Sequence, residues 1–266
     1  MPVDSTSPSR PAISVIIPTH HRAEKLARAI RSVTEQTLDA VEIVVCADEG
    51  SAETRRAAAD SLRPQDVFLS RPGMRGPAES RNLGMRLARG RWLCFLDDDD
   101  SMEADFLASA LPHLEASPDS VVFTDYTVLQ ETEDGTPAAG EGARKEKSLA
   151  RKAVRFLNVM NFIPISCLFF PRTLRDEVAF DPGLRSHEDW DFILQLLHRA
   201  PFQHAPVTGT NYHRVYGDSR NRMTRQERMS DFISIYRRNP VADEDLRKRR
   251  EELITRMGVE IAARFL

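Results

Sequence analysis

Two acidic stretches carry the residue types that polar chemistry needs. "RWLCFLDDDDS" sets Asp97, Asp98, Asp99 and Asp100 directly behind an apolar run, and "SHEDWDF" sets Glu188 and Asp189 at the head of a helical pattern. In an extended aspartate run, Asp97 and Asp99 share one face and Asp98 takes the other. Carboxylates held that close repel one another. A hard divalent cation such as Mg2+ or Mn2+, sharing its shell with substrate phosphates, relieves the repulsion. The plainer reading is an acidic cap on a helix following Glu103. Glu188 and Asp189 likewise read either as ordinary helix-start acids or as a general base facing a cleft. His20 and His21 follow the first apolar run and could stack on a base or serve as polar turn residues. Arg22, Arg75 and Arg81 are candidates for phosphate or base contacts, or plain surface arginines.

These groups need a scaffold, and the hydropathy pattern supplies one. "AISVIIP", "VEIVVCA", "DVFLS" and "RWLCFL" read as short buried strands. Between them, residues 22–36, 51–62 and 78–89 read as helices, the first with Leu26, Ala29, Ile30 and Val33 inward and the third with Leu83, Leu87 and Ala88 inward. Strands alternating with helices predict an α/β fold with a Rossmann-like, mostly parallel sheet flanked by helices. Ligands of such sheets gather outside the carboxyl ends of the strands, where Thr19, His20, Asp48 and Asp97–Asp100 fall.

The second half is less regular. "SVVFTDYTVL" reads as a strand, "QETEDGTPAAGEGARKEKS" as a mobile loop, and "NVMNFIPISCLFFPR" as a sheet segment and binding wall. "SHEDWDFILQLLHRA" reads as a helix capped by Ser186, and the chain from Met223 onward as charged helix broken at Pro240. In the tail, "LRKRREELITR" reads as a solvated face, with contact to anionic lipid as the weaker option.

Composition sets the class. With 41% hydrophobic and 29% charged residues over 266, the chain is long enough to bury a core, and a net charge of -3 gives no reason to expect nucleic acid. Cys46, Cys94 and Cys167 sit inside apolar runs without metal spacing, as reduced core residues do. "MPVDSTSPSRPA" lacks the apolar stretch of a signal peptide, and no run approaches the ~18 residues of a membrane span. A cytoplasmic protein is expected, with peripheral membrane contact left open.

Taken in order, these stretches resemble family 2 glycosyltransferases. "ISVIIPTHHR" resembles the family's opening strand, and "SVTEQTLDAVEIVVCADEGS" its first helix and second strand ending in an Asp-rich Gly-Ser turn. "GPAESRNLGMRLARGRWLCFLDDDD" resembles its Arg-Asn-x-Gly, Ala-x-Gly and Leu-Asp-x-Asp-Asp series, and "FDPGLRSHEDWDFILQLLHRA" its acceptor-side Glu-Asp motif. The resemblance implies a GT-A fold. It divides the chain into a flexible leader over residues 1–11, a catalytic domain over 12–222 and a helical C-terminal extension over 223–266. The nucleotide-sugar half of that domain would run over about 12–101 and the acceptor half over about 102–222.

The roles it implies are specific. Pro18, Thr19 and His20 would hold the donor's base, with His20 stacked on it, and Asp48 would meet the base edge. Arg22 and Arg81 would lie near the base or diphosphate, and Asp98 near the ribose. Asp97 and Asp99 would bind Mn2+ or Mg2+, and Asp189 would be the catalytic base. The family's late histidine aligns with Tyr216 in "YHRVYGDS", while His213 lies three residues earlier, so both join Glu188 as additional candidates. The Gln-x-x-Arg-Trp motif of processive members is absent, which implies transfer of a single sugar. The implied reaction is inverting and metal-dependent, from a nucleoside-diphosphate sugar, UDP-linked first among the choices, to an acceptor hydroxyl. A nucleotidyltransferase and a non-catalytic nucleotide-sugar-binding protein are the alternatives.

Overall fold

The computed structural model describes residues 10–73, 76–132, 136–140, 142–215 and 225–257, with the side chains of 225–228 left aside. Most of the expected leader, Arg75 and Tyr216 lie outside the described residues.

The first half follows the alternating pattern. Strands β1 (Ile13–Thr19), β2 (Val41–Asp48), β3 (Val67–Arg71) and β4 (Trp92–Phe95) are joined by helices α1 (Ala23–Thr34), α2 (Ala52–Ser61) and α3 (Gly76–Leu87). Every pair within β3–β2–β1–β4 is parallel, because each helical crossover returns the chain to the same end of the sheet. Helix α1 buries the predicted face of Leu26, Ala29, Ile30 and Val33. The α3 segment meets expectation at Ala88, which is buried, and at Leu83, which packs against the core, and departs from it at Leu87. It buries Ala78, Ser80, Arg81, Gly84 and Met85 and leaves Leu87 exposed, so a charged and a small residue occupy the inner stripe. Gly84 allows this approach, since a Cβ there would run into Ile16 Cγ2. Gly84→Ala is expected to cost ~1–3 kcal/mol through overpacking, seen as a lower urea midpoint with an unchanged slope.

The second half comprises β5 (Ser101–Met102), α4 (Phe106–Ala116), β6 (Val121–Glu131), β7 (Arg144–Lys147), β8 (Leu168–Pro171), α5 (Glu188–Leu197) and β9 (Phe202–Val215), followed by α6 (Arg225–Arg238) and α7 (Glu244–Arg256). The described strands form one sheet in the order β3-β2-β1-β4-β8-β6-β9-β5, with β7 beside β6. Here the sheet is mixed rather than parallel: β8 runs antiparallel to β4 and β6, while β6 and β9 are parallel. Strand β8 is entered from a 3-10 turn at Ile165–Cys167 instead of a helical crossover, which removes the constraint on direction. Part of the stretch expected to be a mobile loop is ordered as β7. Its exposed charges fit an edge strand and hide the apolar signal of one.

Apolar clusters cover both faces. One holds α1, Ala58 and α4, and the other α3 and α5 together with Met229, Phe232, Ile235, Tyr236 and Ile254. The C-terminal helices are thus packed into the second cluster. Arg250, expected on a solvated face, is fully buried against the Tyr236 ring at 4.2 Å. Among the described residues, no helix is long and apolar enough to cross a membrane.

Candidate active site

The strand order reverses between β1 and β4, and their carboxyl ends open a crevice there. Leu96 N–H continues the ladder by donating to Ile16 O at 3.0 Å, and Asp100 N–H then folds back to Asp97 O at 3.0 Å. The aspartates therefore form a turn, and the expected strand alternation does not apply. Every one of the four carboxylates has a partner, and Asp98 and Asp99 share one. Asp97 Oδ1 accepts from Arg81 Nη2 at 2.7 Å. Asp98 accepts from Thr19 Oγ1 at 2.7 Å and Arg22 Nη1 at 3.0 Å, and Asp99 Oδ2 accepts from the same Arg22 nitrogen at 2.8 Å. Asp100 Oδ1 accepts from His213 N–H at 3.2 Å. Burial pushes Asp98 up to about 6 against the pull of Arg22 and Thr19. Burial, then Asp97 and Asp99, raises Asp100 well above the usual carboxylate range.

Across the crevice, Asp48 ends β2. Its Oδ2 accepts from Gly76 N–H at 2.6 Å, Arg71 Nη2 lies 3.2 Å from Oδ1, and His20 Nδ1 donates to the Asp48 carbonyl at 2.7 Å. Gly76 sits at φ +80, a left-handed conformation that suits glycine. Between these walls lies a cavity of about 750 Å³. Pro18, Thr19, His20, Arg22, Asp48, Arg81, Asp97, Asp98 and Asp99 all line it, joined by Gly76, Pro77, Ser80 and Glu188.

The second acidic motif enters through α5. Ser186, expected to cap it, instead donates to Asp231 Oδ2 at 3.0 Å, and His187 at φ 58 takes the cap position, its ring paired with Ser186 Oγ at 2.7 Å rather than capping the helix. Glu188 Oε1 accepts from Arg81 Nη1 at 3.0 Å, so one buried guanidinium joins Asp97 to Glu188. The half-buried Asp189 accepts from Asn161 Nδ2 at 3.0 Å and from Trp190 N–H at 2.8 Å. Burial, then the charge of Glu188, pushes it up to about 6.

The segment carrying Asn161 is fixed from behind by three successive carbonyls. Leu157 O accepts from Trp190 Nε1 at 2.7 Å, Asn158 O from Arg250 Nε at 2.8 Å and Val159 O from the Tyr236 hydroxyl at 2.7 Å. His213 lies behind the acidic turn, outside the cavity lining. Its ring nitrogens engage Glu131 at 2.6 Å and Ser101 at 2.8 Å. Arg28 braces the same turn, donating to Glu131 Oε1 at 2.5 Å and to the Asp99 carbonyl at 2.7 Å. Sequence reasoning missed Arg28 and Arg71, and reached Asn161 only as part of the expected binding wall. None stands in a motif, and each acts through a partner distant in the chain.

The sequence profile of Glycosyl transferase family 2 matches residues 14–176, more than half of the chain. The chain is a family 2 glycosyltransferase. Among relatives of this glycosyltransferase, an uncharacterized glycosyltransferase of Haemophilus influenzae is 24% identical over 83% of this chain and 75% of its own. A Campylobacter jejuni GalNAc(5)-diNAcBac-PP-undecaprenol beta-1,3-glucosyltransferase is 28% identical over 53% of this chain, which spans about half (47%) of that protein. The fold is similar to crystal structures of S. aureus TarS 1-349. The copy in complex with UDP-GlcNAc has a TM-score of 0.64 at 18% identity, covering 92% of this glycosyltransferase and 72% of that chain. A GT-A fold follows, and the nucleotidyltransferase alternative gives way.

Proposed function

We propose that this glycosyltransferase moves one sugar, with inversion, from a nucleoside-diphosphate sugar to an acceptor hydroxyl, in the building of a polysaccharide or glycoconjugate. The observation that carries this reading is Arg81, which ties the acidic turn of the donor cavity to the helix start that presents Asp189. A UDP-linked donor is the first choice, since the TarS likeness extends to a UDP-GlcNAc complex. In this reading the donor half runs over about 12–101 and the acceptor half over about 102–222. Pro18, Thr19 and His20 hold the base, Asp48 meets its edge, Asp98 meets the ribose, and Arg22 and Arg81 offset diphosphate charge.

The acidic turn fits a hard divalent cation that keeps part of its shell for substrate oxygens. Arginine takes one oxygen each of Asp97 and Asp99, while Asp97 Oδ2 and Asp99 Oδ1 accept nothing from the described residues. Among the described residues no group of three or more His, Cys, Asp or Glu could hold a metal ion, so a Mg2+ or Mn2+ here would take the rest of its shell from substrate phosphates and water. When bound, the cation would neutralise charge on the departing diphosphate. Asp189 takes the acceptor proton as that oxygen attacks the anomeric carbon, and no covalent enzyme intermediate is needed.

Asn161 orients that base. Its amide favours the charged carboxylate, so Asn161→Ala is expected to move the acidic limb of the pH–rate profile up by about one pH unit, with nucleotide affinity unchanged in titration calorimetry. The function itself is tested with a panel of nucleotide sugars and Mn2+, scored by thermal shift and slow donor hydrolysis. A donor that raises the midpoint and is hydrolysed supports the reading. A panel without effect sinks it.

A further inference from the structure

Strand β9 separates two sets of side chains beside the acidic turn. Asn211 pairs with Ser101 in the antiparallel β5–β9 register, which brings Tyr212 level with Asp100. Side chains alternate across a strand. Asn211 donates to Glu103 at 3.1 Å and His213 engages Glu131 and Ser101, so both are committed to one face. Tyr212 belongs to the opposite face, where the neighbouring strand β6 presents Tyr126. Tyr126 packs against the cluster that contains Trp190 and Phe192 of α5.

The two rings form a corner, with centroids 6.4 Å apart and planes at 63°. Both are half-buried, so each keeps some open surface. The Arg214 guanidinium stands 5.7 Å from the Tyr212 centroid. After burial, the charges of Asp97, Asp100, Asp99 and Asp189 all raise the Tyr212 phenol, which places the ring within electrostatic reach of both acidic motifs. Neither tyrosine lines the 750 Å³ cavity assigned above to the donor. An aromatic corner with a polar tip, beside the acidic turn and packed on the helix that carries Asp189 yet outside the donor cavity, matches a ring that offers one C–H face and several hydroxyls.

We propose that Tyr212, walled by Tyr126, is the platform for the acceptor's pyranose ring and turns its reacting hydroxyl toward Asp189. This rests on Asp189 being the base. Arg214, at the open edge, supplies N–H donors to the ring hydroxyls.

The test is saturation-transfer NMR on the full chain with UDP and Mn2+, using methyl glucopyranosides, galactopyranosides and their 2-acetamido forms as probes. Transfer to one face of a pyranoside is expected in the wild type and in Tyr212→Phe. In Tyr212→Ala it should fall by ~5-fold, the loss of one aromatic contact. UDP affinity in both variants should stay within about twofold of wild type, which also shows that they fold. Undiminished transfer in Tyr212→Ala overturns the platform, as does a wild type that takes up no pyranoside. If Tyr212→Ala instead weakens UDP-GlcNAc relative to UDP and spares the pyranosides, the ring holds the donor sugar and the acceptor assignment falls. Failure of UDP to bind the wild type counts against the nucleotide-sugar reading, while the pyranoside arm, run without nucleotide, still decides the platform.

Discussion

Asp189→Asn should lower turnover by about 10²- to 10⁴-fold, the range a positioned general base contributes, while nucleotide affinity is held. The amide keeps the shape and can still accept at its oxygen, but it cannot take a proton from the acceptor. The wild-type pH profile should carry the same signature. Because burial and Glu188 push Asp189 up to about 6, turnover should rise as pH increases through that value and level off above it. Stability runs the other way. A carboxyl raised on folding stabilises the protein fully below the ordinary carboxylate range and loses that contribution as pH rises through about 6, so ionising the base costs the fold what it gives to catalysis. Unchanged transfer in Asp189→Asn would rule out the base assignment.

Arg81→Ala should be the most damaging single change in the donor half. Arg81 is 5% exposed and holds Asp97 at 2.7 Å and Glu188 at 3.0 Å. The nearby acids keep its guanidinium charged despite the cost of burial. Removing it leaves two carboxylates facing one another without a cation, and breaking a buried pair in this way costs ~3–5 kcal/mol. Urea unfolding should show that loss, and donor affinity should fall with it. Arg81→Lys should recover only part, because an ammonium cannot reach two carboxylates in the fixed fork of a guanidinium. A variant as stable as wild type would show that the bridge is incidental.

The lining of the cavity was legible because strand-end chemistry is local. Thr19, His20, Asp48 and the aspartates each follow a strand whose apolar run is visible in the sequence, and parallel connections bring such ends together. What the sequence hid was set by contacts across long intervals. The turn at Asp97–Asp100 depends on Asp100 N–H reaching back to Asp97, and on Arg28 and His213 bracing it from α1 and β9. Leu87 was placed inward by hydropathy, yet the inner stripe of α3 went to Arg81 because a charged residue there meets partners from two other elements. Arg250 defeats the pattern in the same way, as a basic residue in a charged run whose guanidinium is spent on the carbonyl of Asn158.

That grip on the carbonyls of residues 157–159 gives the molecule an order of assembly during its synthesis. Chains emerge from the N-terminus at about 5–20 residues per second, so β1 to β4 have emerged long before Tyr236 and Arg250 appear. A nascent chain can therefore lay down the strand ends of the cavity before Glu188 completes its lining, and the segment that steadies Asn161, and through it Asp189, waits longest for two of its three holds. Under the proposed roles, the last hold on the base would be made only when α7 docks behind it.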